Sequence, residues 1–157
     1  MTLTMVYPRL YVGNISDSQN FNGIVCCVLE KNASFYFDGE NNRQKLRNDA
    51  LCFPIYNDSI FEFDIVQLEL LARFVGRTLK NYSDNIIIHC GAGWERSPFA
   101  TAYVLWRNFN DFPSLSSAYD YVKKVHPDTK NVANWIPKWW KNLYFTSKLE
   151  KFNKESE

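Results

Sequence analysis

Three consecutive isoleucines, Ile86, Ile87 and Ile88, run straight into His89, Cys90 and a glycine-rich turn, and this stretch constrains the fold more than any other. A strand with no polar alternation must be covered on both faces. That happens at the centre of a parallel sheet with helices above and below it. A strand with one wet face would alternate apolar and polar residues instead.

The rest of the chain follows the same plan. Residues 9–13 (RLYVG) are strand-like and end at Gly13-Asn14. Residues 23–30 (GIVCCVLE) and 50–56 (ALCFPIY) are short apolar runs that read as buried strands, with Pro54 placing the end of the second near a sheet edge. Residues 31–48 are polar and loop-like, with one short helical stretch predicted near 43–47. Asp64, with Gln67 three residues on, has the spacing of a capping box and is expected to open a helix. Ile65, Leu68, Leu71, Val75 and Leu79 give that helix its apolar stripe, and residues 81–84 end it. A nearly all-apolar helix is expected from 95–98 onward. Another starts at Pro113-Ser114 with the stripe Leu115, Ala118, Tyr121, Val122 and Val125. A Trp-rich last helix covers about 134–149, with a frayed end beyond it. Strands alternating with helices predict one α/β domain spanning 1–157, with a central, mostly parallel, twisted sheet of four to five strands flanked by helices.

Composition narrows the function. Eighteen Lys and Arg against seventeen Asp and Glu leave a net charge of +1, without the basic excess of a nucleic-acid binder. Aromatic residues make up 17% of the chain, which favours a packed core over disorder. No run of about 18 apolar residues occurs, so no membrane span is expected. The first ten residues lack the pattern of a secretory signal, and the expected compartment is the cytoplasm or nucleocytoplasm. The four cysteines have neither disulfide-framework nor zinc spacing. Cys26, Cys27 and Cys52 read as core packing residues, with a resolving thiol for oxidised Cys90 as the functional alternative. His126 reads as a surface or half-buried residue without a role.

The chemistry concentrates in residues 89–97, His-Cys-Gly-Ala-Gly-Trp-Glu-Arg-Ser. A strand ends, a cysteine follows, five residues loop over, and an arginine stands where a helix starts. Backbone N–H groups of such a loop and the free N–H groups of the helix form a concave anion site. Gly91 and Gly93 let an anion approach the main chain. Arg96 offers a planar, two-pronged donor to two phosphate oxygens. A thiol ringed by these dipoles is expected to ionise and become a nucleophile.

The stretch resembles the cysteine-dependent protein tyrosine phosphatases, and among them the small dual-specificity phosphatases. Their signature, His-Cys-x-x-Gly-x-x-Arg-Ser/Thr, stands complete as His89, Cys90, Gly93, Arg96 and Ser97. Chance would produce it in a chain this long roughly once in 10⁴. YPRLYVGN resembles the family's opening strand, and FPIYNDS its acid-bearing loop, with Asp58 standing 32 residues before Cys90. The likeness runs from about residue 6 to 145. It implies a phosphatase-like fold and hydrolysis of a phosphorylated protein, on phosphotyrosine and also phosphoserine or phosphothreonine. Cys90 would be nucleophile, Asp58 general acid and then base, and Ser97 a donor to the departing thiolate. Arg96 and the loop of His89, Gly91, Ala92, Gly93, Trp94 and Glu95 would hold the phosphate. His89 would orient the loop, Trp94 would wall the cleft, and Glu95 would point outward as a cap or ion pair. No metal or organic cofactor is implied.

Alternatives stay open. Relatives of such enzymes act on phosphoinositides or RNA 5′-phosphates, but those substrates favour Lys or Arg inside the loop, where this chain has Gly91, Ala92, Trp94 and Glu95. A catalytically inactive phosphate-binding module is the reading from another class. Asp64 is the rival acid.

Overall fold

The computed structural model describes residues 3–30, 33–55 and 62–130. Along the chain these form β1 (Thr4–Tyr7), β2 (Leu10–Gly13), α1 (Ile15–Gln19), β3 (Ile24–Cys27), β4 (Tyr36–Phe37), β5 (Arg43–Gln44), β6 (Leu51–Cys52), α2 (Glu62–Asn81), β7 (Ile86–His89), α3 (Arg96–Asn108) and α4 (Leu115–Val125). Asp58 and the expected last helix lie outside the described residues.

The main sheet has the order β1-β2-β7-β3-β6. β7 runs parallel to both neighbours, with Ile86 to His89 in register with Leu10 to Gly13 on one side and Ile24 to Cys27 on the other. The strand latest in sequence therefore lies in the middle. All four of its residues are buried, and each fully buried isoleucine stabilises the fold by about 2–3 kcal/mol. Only β1 runs antiparallel, on the edge beside β2. This is the mostly parallel α/β sheet that the alternation of strands and helices predicts.

α3 is the core helix. Residues 97–105 are buried throughout, and the helix packs between α2 and α4. Pro98 stands in its first turn, where a missing N–H costs nothing. α4 begins at Ser114, whose side chain accepts from the Ser117 N–H while the Ser117 side chain returns the bond. Its buried stripe is Leu115, Ala118, Tyr119 and Val122, so Tyr119 takes the deep position expected of Tyr121.

Three expectations are corrected. α2 starts at Glu62, so Asp64 stands inside its first turn, fully buried, and does not open the helix. Residues 43–47 are not helical; Arg43 and Gln44 pair with Phe37 and Tyr36 as a short antiparallel ribbon. Among the described residues of the apolar run 50–56, only Leu51 and Cys52 form a strand, β6 at the sheet edge, where Leu51 is exposed. Beyond β6 the Phe53 N–H still donates to Cys27 O at 2.8 Å and the Ile55 N–H to Val28 O at 3.1 Å, so the chain stays bonded to the end of β3 on both sides of Pro54. Among the described residues no helix is long and apolar enough to cross a membrane.

Candidate active site

β7 delivers Cys90 to the carboxyl end of the parallel strands, between the ends of β2 and β3. In open α/β sheets this is where ligands bind. Residues 91–95 then loop into the start of α3. Cys90 is 4% exposed. Its Sγ accepts the Gly93 N–H at 3.3 Å and lies 3.2 Å from Ser97 Oγ. The Ser97 hydroxyl donates to the Gly13 carbonyl at 3.1 Å. The sulfur thus sits on one loop amide and one hydroxyl, at the dipole-positive end of α3.

The loop is fixed from several sides. Gly93 has φ +80, and a Cβ there would lie 3.0 Å from Gly13 C and Asn14 N, so only glycine fits. The Ile15 N–H donates to Gly91 O at 2.9 Å, and the Lys130 N–H to Trp94 O at 2.8 Å. The Lys130 ammonium also lies 4.1 Å from the Trp94 ring centroid. A Cβ on Gly91 would come within 2.8 Å of Phe37 O, so the β4–β5 ribbon packs directly on the loop.

Asp38 anchors that ribbon. It is buried, and accepts from Ser16 Oγ at 2.5 Å, the Glu40 N–H at 2.8 Å and the Asn42 N–H at 3.2 Å. Burial disfavours its charge, but the bonds from Ser16, Glu40 and Asn42 outweigh that and hold the carboxyl below its ordinary range. Asn14 Nδ2 donates to Asp38 O at 3.1 Å and ties the ribbon to the cap of α1.

Cys90, Gly91, Ala92, Trp94, Glu95 and Arg96 line a cleft of about 250 Å³, with Leu29, Tyr36 and Phe37 completing its wall. Arg96 Nη1 lies 3.4 Å from Glu30 Oε2 and 3.4 Å from Ile55 O. The guanidinium is thereby steadied on one edge. Glu95 lies at the N-cap position of α3 and is among the residues lining the cleft, but its side chain makes no capping bond, so the capping expected of it is not seen.

His89 lies under the loop, fully buried, with Nδ1 3.0 Å from Cys90 O, and does not line the cleft. Burial pushes its ionisation down to about 4, against the opposing pull of the Cys90 carbonyl. The ring is therefore neutral and donates through Nδ1. Cys26 and Cys27 are fully buried free thiols, which burial pushes far up, and Cys52 is half-buried.

His126 corrects the expectation of a surface residue. It is 1% exposed, with Nε2 3.0 Å from Gly93 O and Nδ1 2.7 Å from Thr4 Oγ1. Glu30, Asn14, Asp38 and His126 were invisible as site residues in the sequence, because each reaches the loop across a long chain separation. Among the described residues no group of three or more His, Cys, Asp or Glu could hold a metal ion.

No protein-family model matches the chain. Solved structures do resemble it. Human DUSP28 matches with a TM-score of 0.62 and 17% identity, over 99% of this chain and 95% of its own. The PTP-2 phosphatase of Cydia pomonella matches with a TM-score of 0.63 and 20% identity, over 86% of each chain. The human tyrosine phosphatase-like serine/threonine/tyrosine-interacting protein matches with a TM-score of 0.63 and 16% identity, over 85% of this chain and 90% of its own. At 16–20% identity these likenesses establish the fold, and that fold is the one shared by tyrosine and dual-specificity phosphatases.

Proposed function

We propose that this protein is a cysteine-dependent phosphatase of the small dual-specificity type, acting through 1–157 as one catalytic domain. Its substrate is a phosphorylated protein, with phosphotyrosine hydrolysed and phosphoserine or phosphothreonine as further targets. One observation carries this reading. The Cys90 sulfur accepts the Gly93 N–H at 3.3 Å and lies 3.2 Å from Ser97 Oγ, and Cys90 and Arg96 line the same cleft.

In the first step the Cys90 thiolate attacks phosphorus. The S–P bond forms as the P–O bond to the leaving group breaks, and Asp58 gives that oxygen its proton. Arg96 and the loop amides hold the equatorial oxygens through the transition state. In the second step water attacks phosphorus and Asp58 takes the water's proton. The S–P bond breaks and its electron pair returns to sulfur. Ser97, turning its hydroxyl from Gly13 O, donates to the reforming thiolate. Nothing is oxidised or reduced. Unaided monoester hydrolysis is so slow that the loop must supply over about 20 kcal/mol of transition-state stabilisation.

The test is turnover of an aryl phosphate by pure, reduced protein near pH 6. Cys90→Ser is expected to abolish turnover while retaining tungstate binding. Absence of turnover in the unmodified protein would make it a phosphate-binding module. Activity on a phosphoinositide several-fold above a phosphopeptide panel would replace the protein substrate.

A further inference from the structure

We propose that the exposed face of the β4–β5 ribbon and the Trp94–Lys130 pair form one docking strip beside the catalytic cleft. It takes acidic residues that flank the phosphorylated side chain of a protein substrate. This rests on the phosphatase reading of Cys90 and adds the sequence context that the enzyme selects.

An extended ribbon sends alternate side chains to opposite faces. The Tyr36 hydroxyl donates to Glu30 O in the body of the protein. Phe35 and Phe37, on either side of it, stay 44% and 48% exposed. Arg43 stands directly opposite Phe37 in the ladder, and its guanidinium lies 4.5 Å from the Phe35 ring centroid. Two aromatic rings and one cation therefore share the wet face of a strand pair that joins no larger sheet. A single exposed phenylalanine needs no explanation. Here there are two on one short ribbon, and Phe37 lines the cleft, where it meets whatever enters.

The strip continues onto the catalytic loop. Gly39, in the turn between β4 and β5, has φ +87, and a Cβ there would lie 2.9 Å from Trp94 Cζ2 and 3.1 Å from Ala92 Cβ. The ribbon turn thus lies against Trp94, another residue of the cleft wall, and the Lys130 ammonium rests on the same indole. Arg43 and Lys130 are both exposed. Among the described residues each is steadied by an aromatic ring and neither is paired with a carboxylate. A ring holds a cation in place without cancelling its charge. Of the acids close by, Glu30 pairs with Arg96, Asp38 is buried and bonded to Ser16, Glu40 and Asn42, and Glu95 lines the cleft one residue before Arg96.

A peptide whose phosphorylated residue reaches Cys90 lays its neighbours along the cleft border, and this strip forms one side of that border. An extended chain advances about 3.3 Å per residue, and Arg43 stands about 5 Å from Phe37 across the ladder. Positions within about three residues of the phosphorylated one are therefore in reach. Asp or Glu there meets a guanidinium or an ammonium, while the aliphatic stem of the side chain covers Phe35 and Phe37. A basic flank meets like charge and is rejected. Arg43 and Lys130 act on encounter and orientation, and the bond-breaking steps stay with the loop.

The experiment uses three phosphotyrosine peptides of equal length, with Glu, Ala or Lys at the three positions on either side of the phosphotyrosine. Binding to the full chain carrying Cys90→Ser is read by fluorescence anisotropy. Turnover by the full chain with Cys90 intact is read as kcat/KM, with an aryl phosphate as reference. The Glu peptide is expected to bind about 5-fold tighter than the Ala peptide, by a margin that shrinks with added salt. The Lys peptide should bind weakest, and kcat/KM should follow the same order. Arg43→Glu and Lys130→Glu should each cut the margin by at least about 2-fold, and Arg43→Glu should leave aryl phosphate turnover unchanged. If a charge reversal unfolds the protein, Arg43→Gln/Lys130→Gln is the replacement and should erase the margin. Absence of aryl phosphate turnover overturns the phosphatase reading, and the anisotropy ranking then decides on the strip by itself. The strip is overturned if the Glu and Ala peptides bind equally, or if the margin survives Arg43→Gln/Lys130→Gln. It is also overturned if those two cations govern co-sedimentation with phosphatidylserine vesicles and not peptide affinity, which would make this face a membrane contact.

Discussion

His126 Nε2 lies 3.0 Å from the carbonyl oxygen of Gly93, and the other nitrogen of the same ring lies 2.7 Å from Thr4 Oγ1. With the proton on Nε2, the imidazole donates to the loop and accepts from Thr4. One side chain thereby connects the turn after α4, the edge strand β1 and the residue whose N–H faces the Cys90 sulfur.

His126→Ala would leave the buried Gly93 carbonyl without its donor, at a cost of about 1–3 kcal/mol. The Gly93 amide should shift with it. A displaced loop is expected to lower kcat/KM by roughly 10–100-fold, mainly through kcat. His126→Gln, which can still donate, should recover part of the loss. Melting curves and steady-state kinetics on an aryl phosphate check this. Loss of stability with unchanged kcat would reduce His126 to a packing residue.

Glu30 touches the Arg96 guanidinium on one edge, 3.4 Å from Nη1, and both side chains are partly exposed. An exposed ion pair of this length adds little to stability. Its consequence is orientation, because an arginine free to rotate presents its fork to phosphate less often. Glu30→Ala is expected to lower kcat/KM about 10-fold with little change in melting temperature. Glu30→Gln, which keeps a hydrogen-bond acceptor, should lose less. Tighter tungstate binding in Glu30→Ala would instead make the carboxylate a competitor of the substrate.

Asp58 lies outside the described residues, so its role as the acid rests on the resemblance. Asp58→Asn is expected to slow turnover by about 10²–10⁴ on a poor leaving group, and by less on a leaving group that needs no proton. Asp64→Asn supplies the contrast. Asp64 is buried in the first turn of α2, so its substitution should reduce stability without this leaving-group dependence. The reverse pattern would transfer the role to Asp64.

The parts of this molecule legible in the sequence are those whose cause is local. Ile86, Ile87 and Ile88 announce a central strand because no polar residue interrupts them. The loop and the start of α3 follow from nine adjacent residues. α2 and α4 show their stripes at helical spacing. The β4–β5 ribbon was hidden because two-residue strands show no alternation, and its stability comes from Asp38, buried beneath its turn. His126 stands 33 residues from Gly93, and Glu30 66 residues from Arg96. A lone histidine or glutamate at such a distance carries no pattern, and only the folded sheet brings it to the loop.

His89 gives the fold a pH dependence with a defined sign. Burial holds its ionisation near 4 in the folded protein, against an ordinary value of 6.5. Between those values the unfolded chain binds a proton that the folded chain refuses. Stability is therefore full above about pH 6.5 and is lost as pH falls toward 4, by about 3 kcal/mol from this group. Asp38, whose carboxyl is held below its ordinary range, loses its contribution only at lower pH, so the window belongs to the imidazole. His89→Asn should flatten the fall in urea-unfolding free energy between pH 6.5 and 4. His126 is present in both proteins and cancels in the comparison. An equally steep fall in the variant would mean that His89 does not set it.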